Sequence, residues 1–200
     1  MTGPDRSTVG GVVLAAGDSS RYGDDNKLLA SVDGAPLVRH VAEAACASGL
    51  DDAVVIVGHE AEAVGAALDG FSLSVRYNDD YAEGQSTSVR CGVAFARENG
   101  WDAAVFLLGD MPFVSPETVD RIVAAYRAGE GAIVVPRRDG QRGNPVLFDR
   151  RYFDALADVS GDRGGRDLIE NEDGVRFLDV DDPGVRRDVD TEADLRDATE

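Results

Sequence analysis

Short valine-rich apolar runs alternate along this chain with longer segments of helical period. The runs cover residues 9–15, 53–57, 73–77, 103–108, 132–136, 145–148 and 175–180. Between them, residues 36–48, 61–68, 86–99 and 116–128 repeat apolar side chains at three- and four-residue intervals, which predicts amphipathic helices. The runs are continuous rather than alternating, so their strands should be covered on both faces. That implies βαβ units and an α/β fold with a mostly parallel sheet flanked by helices. Punctuation agrees: Ser115-Pro116-Glu117 offers an N-cap, a proline at the first helical position and an early acid, and Gly129 follows the same segment's end. Gly49 and Gly100 close the first and third helices.

The second half is less regular. Residues 137–143 read as a loop or hairpin tip before Asn144-Pro145, and residues 161–165 form a second glycine-rich loop. Residues 191–198 predict a short helix capped by Thr191, with Asp194 at the capping-box position. No repeat, linker or low-complexity block interrupts the pattern, so residues 1–200 are expected to form one domain with its motifs between about residues 9 and 195.

Composition narrows the partners. The net charge is −18, from 38 acidic and 20 basic side chains, and such a surface repels nucleic acid and anionic membrane. The acidity, with arginine almost replacing lysine, resembles proteins of halophilic organisms with GC-rich genomes, where molar salt screens the repulsion. Cys46 and Cys91 form no CxxC unit and are expected to be reduced and packed inside. No apolar stretch approaches the roughly 18–20 residues of a membrane span. With no signal-peptide core at the N-terminus, a soluble, cytoplasmic protein is expected. His40 and His59 stand apart from other ligand types, so structural roles are expected for both.

Against nineteen arginines there is one lysine, Lys27, at the end of the loop that follows the first apolar run. Arginine cannot replace a compact ammonium point charge. The same loop holds Gly17, Ser19, Ser20, Arg21 and Gly23, which are the makings of a phosphate cradle: exposed N–H groups, small residues and positive charge at the rim. No G-x-x-x-x-G-K-[ST] or G-x-G-x-x-G string is present, and composition alone leaves an ordinary glycine-rich turn open. Elsewhere, Ser86 is placed to cap a helix after Gly84. Asp110 follows a buried run, where open α/β sheets bind ligands. A hard carboxylate there suits Mg²⁺. In an extended segment Asp188 and Asp190 project to the same side, so either can face Asp110.

The run LAAG-x-S-x-R-x-G-x-x-x-K-LL resembles the nucleotide-binding signature of the molybdenum cofactor cytidylyl- and guanylyltransferases. These are nucleoside triphosphate transferases with a Rossmann-like, glycosyltransferase-A-like fold. Glu83-Gly-Gln-Ser-Thr-Ser-Val-Arg-Cys-Gly92, Leu107-Leu-Gly-Asp-Met-Pro-Phe-Val114 and Arg187-Asp-Val-Asp-Thr-Glu-Ala-Asp-Leu195 are similar to further segments of that family. In the last, Glu192 and Ala193 replace the family's usual Pro-Glu.

The resemblance implies that Leu14, Ala15, Ala16, Gly17, Ser19, Ser20, Arg21, Lys27, Gly84, Gln85, Ser86, Ser88 and Asp110 bind the nucleotide. Arg21, Lys27 and Asp110 would act in catalysis, and Asp110 with Asp190 or Asp188 would hold Mg²⁺. Segments around Arg142, Gly143, Asn144 and Pro145, and around Gly164 and Gly165, would line the acceptor pocket. Arg137, Arg138, Arg142, Arg163 and Arg166 would form its basic patch.

The implied reaction joins a nucleoside triphosphate to a phosphorylated acceptor and releases pyrophosphate. LAAG favours CTP, and molybdopterin is the leading acceptor, with a molybdoenzyme or its chaperone as partner. GTP or another acceptor remains open within the family. Outside it, a non-catalytic protein that binds and delivers a finished cofactor is the alternative, and the retained lysine and aspartates count against that.

Overall fold

The computed structural model describes residues 6–18, 22, 26–158, 165–191 and 193–195. β1 (Val9–Ala15) leads through a 3-10 turn at Lys27–Leu29 to a small hairpin, β2 (Ser31–Val32) and β3 (Ala35–Pro36). Next come α1 (Leu37–Ala47), β4 (Asp52–Val57), α2 (Ala61–Ala67), β5 (Ser74–Tyr77), α3 (Gln85–Glu98), β6 (Ala103–Leu108) and α4 (Pro116–Arg127). The chain continues through β7 (Ile133–Arg138), β8 (Gln141–Arg142), β9 (Val146–Asp149), α5 (Phe153–Ala157), α6 (Arg166–Asn171) and β10 (Val175–Asp179).

The main sheet runs β10-β7-β9-β6-β1-β4-β5, with β8 paired to β7. β5, β4, β1 and β6 are mutually parallel, as are β7 and β10. β9 alone on this path runs antiparallel to both its neighbours, β6 and β7. The carboxyl ends of β1 and β6 therefore lie at the same sheet edge as the amino end of β9, and this edge carries the cleft.

The runs in β1, β4 and β6 are buried on both faces, as their pattern predicts. The edge strands β5 and β10 are not, and Val75, Tyr77 and Phe177 are exposed there. Within β1, Val9 and Val13 face a core shared with Val38 and Val41 of α1 and Val119, Ile122 and Val123 of α4. Val12 faces the opposite core, with Val89 and Val93 of α3 and Leu156 of α5. Ser115 caps α4 by accepting from Thr118 N at 3.2 Å, with Pro116 at the first helical position.

Several boundaries move for local reasons. β7 extends to Arg138 because β8 pairs with it, so the expected loop at residues 137–143 is a hairpin turning at Asp139 and Gly140. α3 starts at Gln85 rather than at Ser86. Gly84 takes the cap position at φ 113°, which only glycine adopts readily, and Ser86 sits buried in the first turn. Cys46 is exposed, which corrects the expectation that both cysteines pack inside; both are free thiols. At the C-terminal end, Thr191 and Asp194 form the expected reciprocal cap, with Thr191 N donating to Asp194 Oδ2 at 2.8 Å and Asp194 N to Thr191 Oγ1 at 3.2 Å. Residues 193–195 are helical, and the rest of the expected helix lies outside the described residues. Among the described residues no helix is long and apolar enough to cross a membrane.

Candidate active site

Three segments distant in sequence meet below the carboxyl ends of β1 and β6. Asn26 caps the turn after the β1 loop, its Oδ1 accepting from Leu28 N at 3.0 Å, and this turn aims Lys27 inward. Asp110 follows β6 directly. The last segment is tied in by Asp182, a buried carboxylate that accepts from Ser115 N at 3.0 Å, Thr118 Oγ1 at 2.7 Å and Gly184 N at 2.8 Å. Val189 N then donates to Asp110 O at 2.9 Å, while the Val189 side chain packs with Val32 and Leu37. With Val189 turned inward, its neighbours Asp188 and Asp190 turn to the cleft.

The result is a compact charge cluster. Lys27 Nζ donates to Asp110 Oδ2 and to Asp190 Oδ1, each at 2.7 Å. The three side chains are 16%, 22% and 35% exposed, respectively. Burial opposes the charge on Lys27, yet the Asp110 carboxylate, aided by Asp190, outweighs it and holds the ammonium pKa above its ordinary value. Asp188 lines the same cleft, is exposed, and makes no ion pair with Lys27.

This cluster forms the floor of a cleft of about 740 Å³. Of the residues expected at the nucleotide, Leu14, Ala16, Gly17, Lys27, Gly84, Gln85, Ser88 and Asp110 line it. Ala15 is buried at the end of β1 and Ser86 within α3, and neither lines the cleft. Ser19, Ser20 and Arg21 lie outside the described residues. The start of α3 faces the opening, where a 14-residue helix presents its positive dipole end. Buried Asn78 holds this turn by donating to Thr87 Oγ1 at 2.8 Å and Ser88 Oγ at 3.0 Å.

A second cavity of about 410 Å³ adjoins the first and shares Leu14, Gln85, Leu108 and Arg166 with it. Arg142, Gly143, Asn144 and Gly165 line it over an apolar bed that includes Phe106, Val146 and Phe148. Pro145 does not reach it, and Gly164 lies outside the described residues. The expected patch of five arginines needs correction. Arg137 is bound bidentately by Asp179 at 2.8 and 2.9 Å, Arg138 lies near Asp139 and Asp181, and neither lines either of these two cavities. Arg142 lines the cavity but pairs with Glu170 at 3.1 Å, and Arg163 is not among the described residues. Arg166 lines both cavities and makes no ion pair among the described residues.

Sequence reasoning did not single out Tyr81 or Asp182. Tyr81 walls the cleft beside Ala82, with ring contacts to His59 at 6.3 Å and Tyr77 at 6.5 Å. Its signal was an aromatic three residues before Gly84. Asp182 carried none, because Asp181-Asp182 before Pro183 reads as a turn.

Comparison with known proteins agrees with this fold. Residues 11–176 match the model of the MobA-like NTP transferase domain. The chain is 31% identical over 199 residues to the nicotine blue oxidoreductase of Paenarthrobacter nicotinovorans, spanning 96% of each. Among solved structures it is similar to Rv0371c of Mycobacterium tuberculosis H37Rv in complex with manganese, at 33% identity and TM-score 0.81, covering 96% of this chain and 98% of that one. It is also similar to a nucleotidyl transferase from Methanothermobacter thermautotroptrophicus, at 26% identity and TM-score 0.81, covering 96% of both. Fold and cleft together define a nucleotidyltransferase with the nucleotide-diphospho-sugar transferase fold. Within that class, the chain belongs to the MobA-like NTP transferase family.

Proposed function

We propose that the protein transfers a cytidylyl group from CTP to the terminal phosphate of molybdopterin and releases pyrophosphate, in the cytoplasm and with Mg²⁺ as the working cation. The observation that carries the reading is the Lys27–Asp110–Asp190 cluster at the floor of a cleft that opens onto a second cavity.

The residues fit a hard divalent cation. Two carboxylate oxygens already hold one cationic nitrogen between them at 2.7 Å each, and oxygen donors are what Mg²⁺ or Mn²⁺ prefers. Among the described residues no group of three or more acidic, histidine or cysteine side chains gathers, so substrate phosphates and water would complete the shell. Asp110 and Asp190 would hold the cation, which when bound neutralises charge on the phosphates.

The chain's own residues do the rest. The triphosphate lies along the loop after β1, with its base toward Gly84, Gln85 and Ser88. Arg166, at the junction of the two cavities, draws the acceptor phosphate toward the α-phosphorus. A phosphate oxygen, already ionised at neutral pH, forms the new P–O bond; the bond to the β-phosphate oxygen breaks, and pyrophosphate departs with its electron pair. No general base is needed, so positioning and charge neutralisation supply the rate. Lys27, and Arg21 from the same loop, stabilise the charge that builds on the departing pyrophosphate.

The test is pyrophosphate release from CTP and from GTP, each with molybdopterin and Mg²⁺. CTP should be the productive substrate, and Asp110→Ala should lower turnover by about 10³-fold or more while partly retaining nucleotide binding. Release from GTP alone would overturn the choice of base. Unchanged function in Asp110→Ala would favour a binding and delivery protein. The relative named nicotine blue oxidoreductase favours a second reading. Turnover of nicotine blue, with no pyrophosphate from any triphosphate, would replace transfer with that one.

A further inference from the structure

We propose that Lys27 is an exchangeable counter-ion. Its ammonium occupies the cation position between Asp110 and Asp190 until nucleotide and divalent cation arrive, then moves to the triphosphate, so that each ligand strengthens the binding of the other. The inference rests on the proposed role of these aspartates in holding a cation.

The geometry carries it. Lys27 Nζ lies 2.7 Å from an oxygen of each carboxylate, between the two groups that a divalent ion would also have to reach. An ammonium and a dication cannot share that position, because at such separations in a partly buried site their repulsion is large. One must leave for the other to enter. Without a cation, however, Asp110 and Asp190 would face each other in a chain of net charge −18, and the ammonium offsets that repulsion.

Lysine suits the exchange. Its point charge sits on a flexible four-carbon stem, whereas a guanidinium fork would stay locked on the carboxylates. The Lys27 backbone belongs to a fixed turn capped by Asn26, so the movement is confined to the side chain. A triphosphate in the cleft offers the ammonium a stronger anionic partner and vacates the carboxylates. By linkage, a cation that displaces Lys27 makes the ammonium available to the phosphates by the same factor.

Mn²⁺ alone is the probe, followed by electron paramagnetic resonance of the free ion on full-length protein without nucleotide. Lys27→Met keeps an unbranched side chain one atom shorter and removes the charge, so it should bind Mn²⁺ at least about fivefold more tightly than wild type, within the usual range of coupling between sites. Adding Asp190→Asn to that variant should abolish the gain, and Lys27→Arg, which keeps a cation over the carboxylates, should bind no more tightly than wild type. Circular dichroism melts of each variant report folding independently. A lysine that serves only the phosphates would leave Mn²⁺ binding in the absence of nucleotide unchanged. Equal or weaker Mn²⁺ binding by folded Lys27→Met would therefore overturn the proposal and leave the transfer reaction standing. The tighter binding with no pyrophosphate release from any triphosphate would sink the transfer reaction and keep the exchange.

Discussion

At the floor of the cleft, one ammonium lies 2.7 Å from each of two carboxylates, on segments that follow β1 and β6 or are hydrogen-bonded to them. Along the wall built by β7, β8 and α6, three arginines are each matched to an acid on the protein itself: Arg137 to Asp179, Arg138 to Asp139 and Asp181, Arg142 to Glu170. Both regions look cationic in sequence. At the floor the cation lies inside the cleft, in a position from which a ligand can draw it, whereas Arg137 and Arg138 line neither cavity. A count of basic residues therefore says little about anion binding in so acidic a chain; what counts is which charges its own acids leave available.

The largest expected effect lies at the floor. Lys27→Arg keeps the charge but replaces a point with a planar fork, and turnover should fall about 100-fold. Steady-state pyrophosphate release measures it. Wild-type turnover in that variant would erase the distinction between floor and wall, because shape as well as charge would then be immaterial at Lys27.

Next comes the backbone of the wall. A Cβ at Gly143 would lie 2.2 Å from Val185 O, and Asn144 N donates to that same carbonyl at 2.8 Å. Since backbone cannot yield as a side-chain tip can, Gly143→Ala should cost about 1–3 kcal/mol of stability. It should also displace Asn144 and Arg142 from the second cavity, raising the KM of the acceptor more than that of the triphosphate. Thermal unfolding and the two KM values check this, and an unaltered melt would show that the loop relaxes freely.

The legibility of the sequence divides along the same line. The strands β1, β4 and β6 were readable because each is buried on both faces, and a short, continuous, valine-rich run is what such a strand requires. Lys27, Asp110 and Asp190 stand out because each sits in a long motif, the first at the end of the loop after β1 and the second just after β6. The wall was harder. β9 runs antiparallel between parallel neighbours, and nothing in Val146–Asp149 states its direction. The short helices α5 and α6 lack enough turns to show a period. The β2–β3 hairpin had a usable sign in Asp33-Gly34, both at positive φ. Ion pairing of the arginines was invisible, since Asp179 and Glu170 lie 42 and 28 residues from their partners.

The smallest expected effects separate two arginines within the wall. Arg166 lines both cavities and has no acid partner among the described residues, whereas Arg137 is clasped by Asp179 and lines neither. A cation without an internal partner interacts with a bound phosphate at full strength; one already paired must first give up its acid. Arg166→Ala should raise the acceptor KM roughly tenfold, the scale of one charged hydrogen bond, with kcat reduced less. Arg137→Ala should shift neither constant by more than about twofold, as expected for an exposed pair. The salt dependence sharpens the contrast: added salt should raise the acceptor KM of wild type and of Arg137→Ala alike, and that of Arg166→Ala less, because the screened charge is already gone. If Arg137→Ala matched Arg166→Ala in KM and in salt response, the pairing with Asp179 would have to open on substrate binding, and the wall would behave as the floor does.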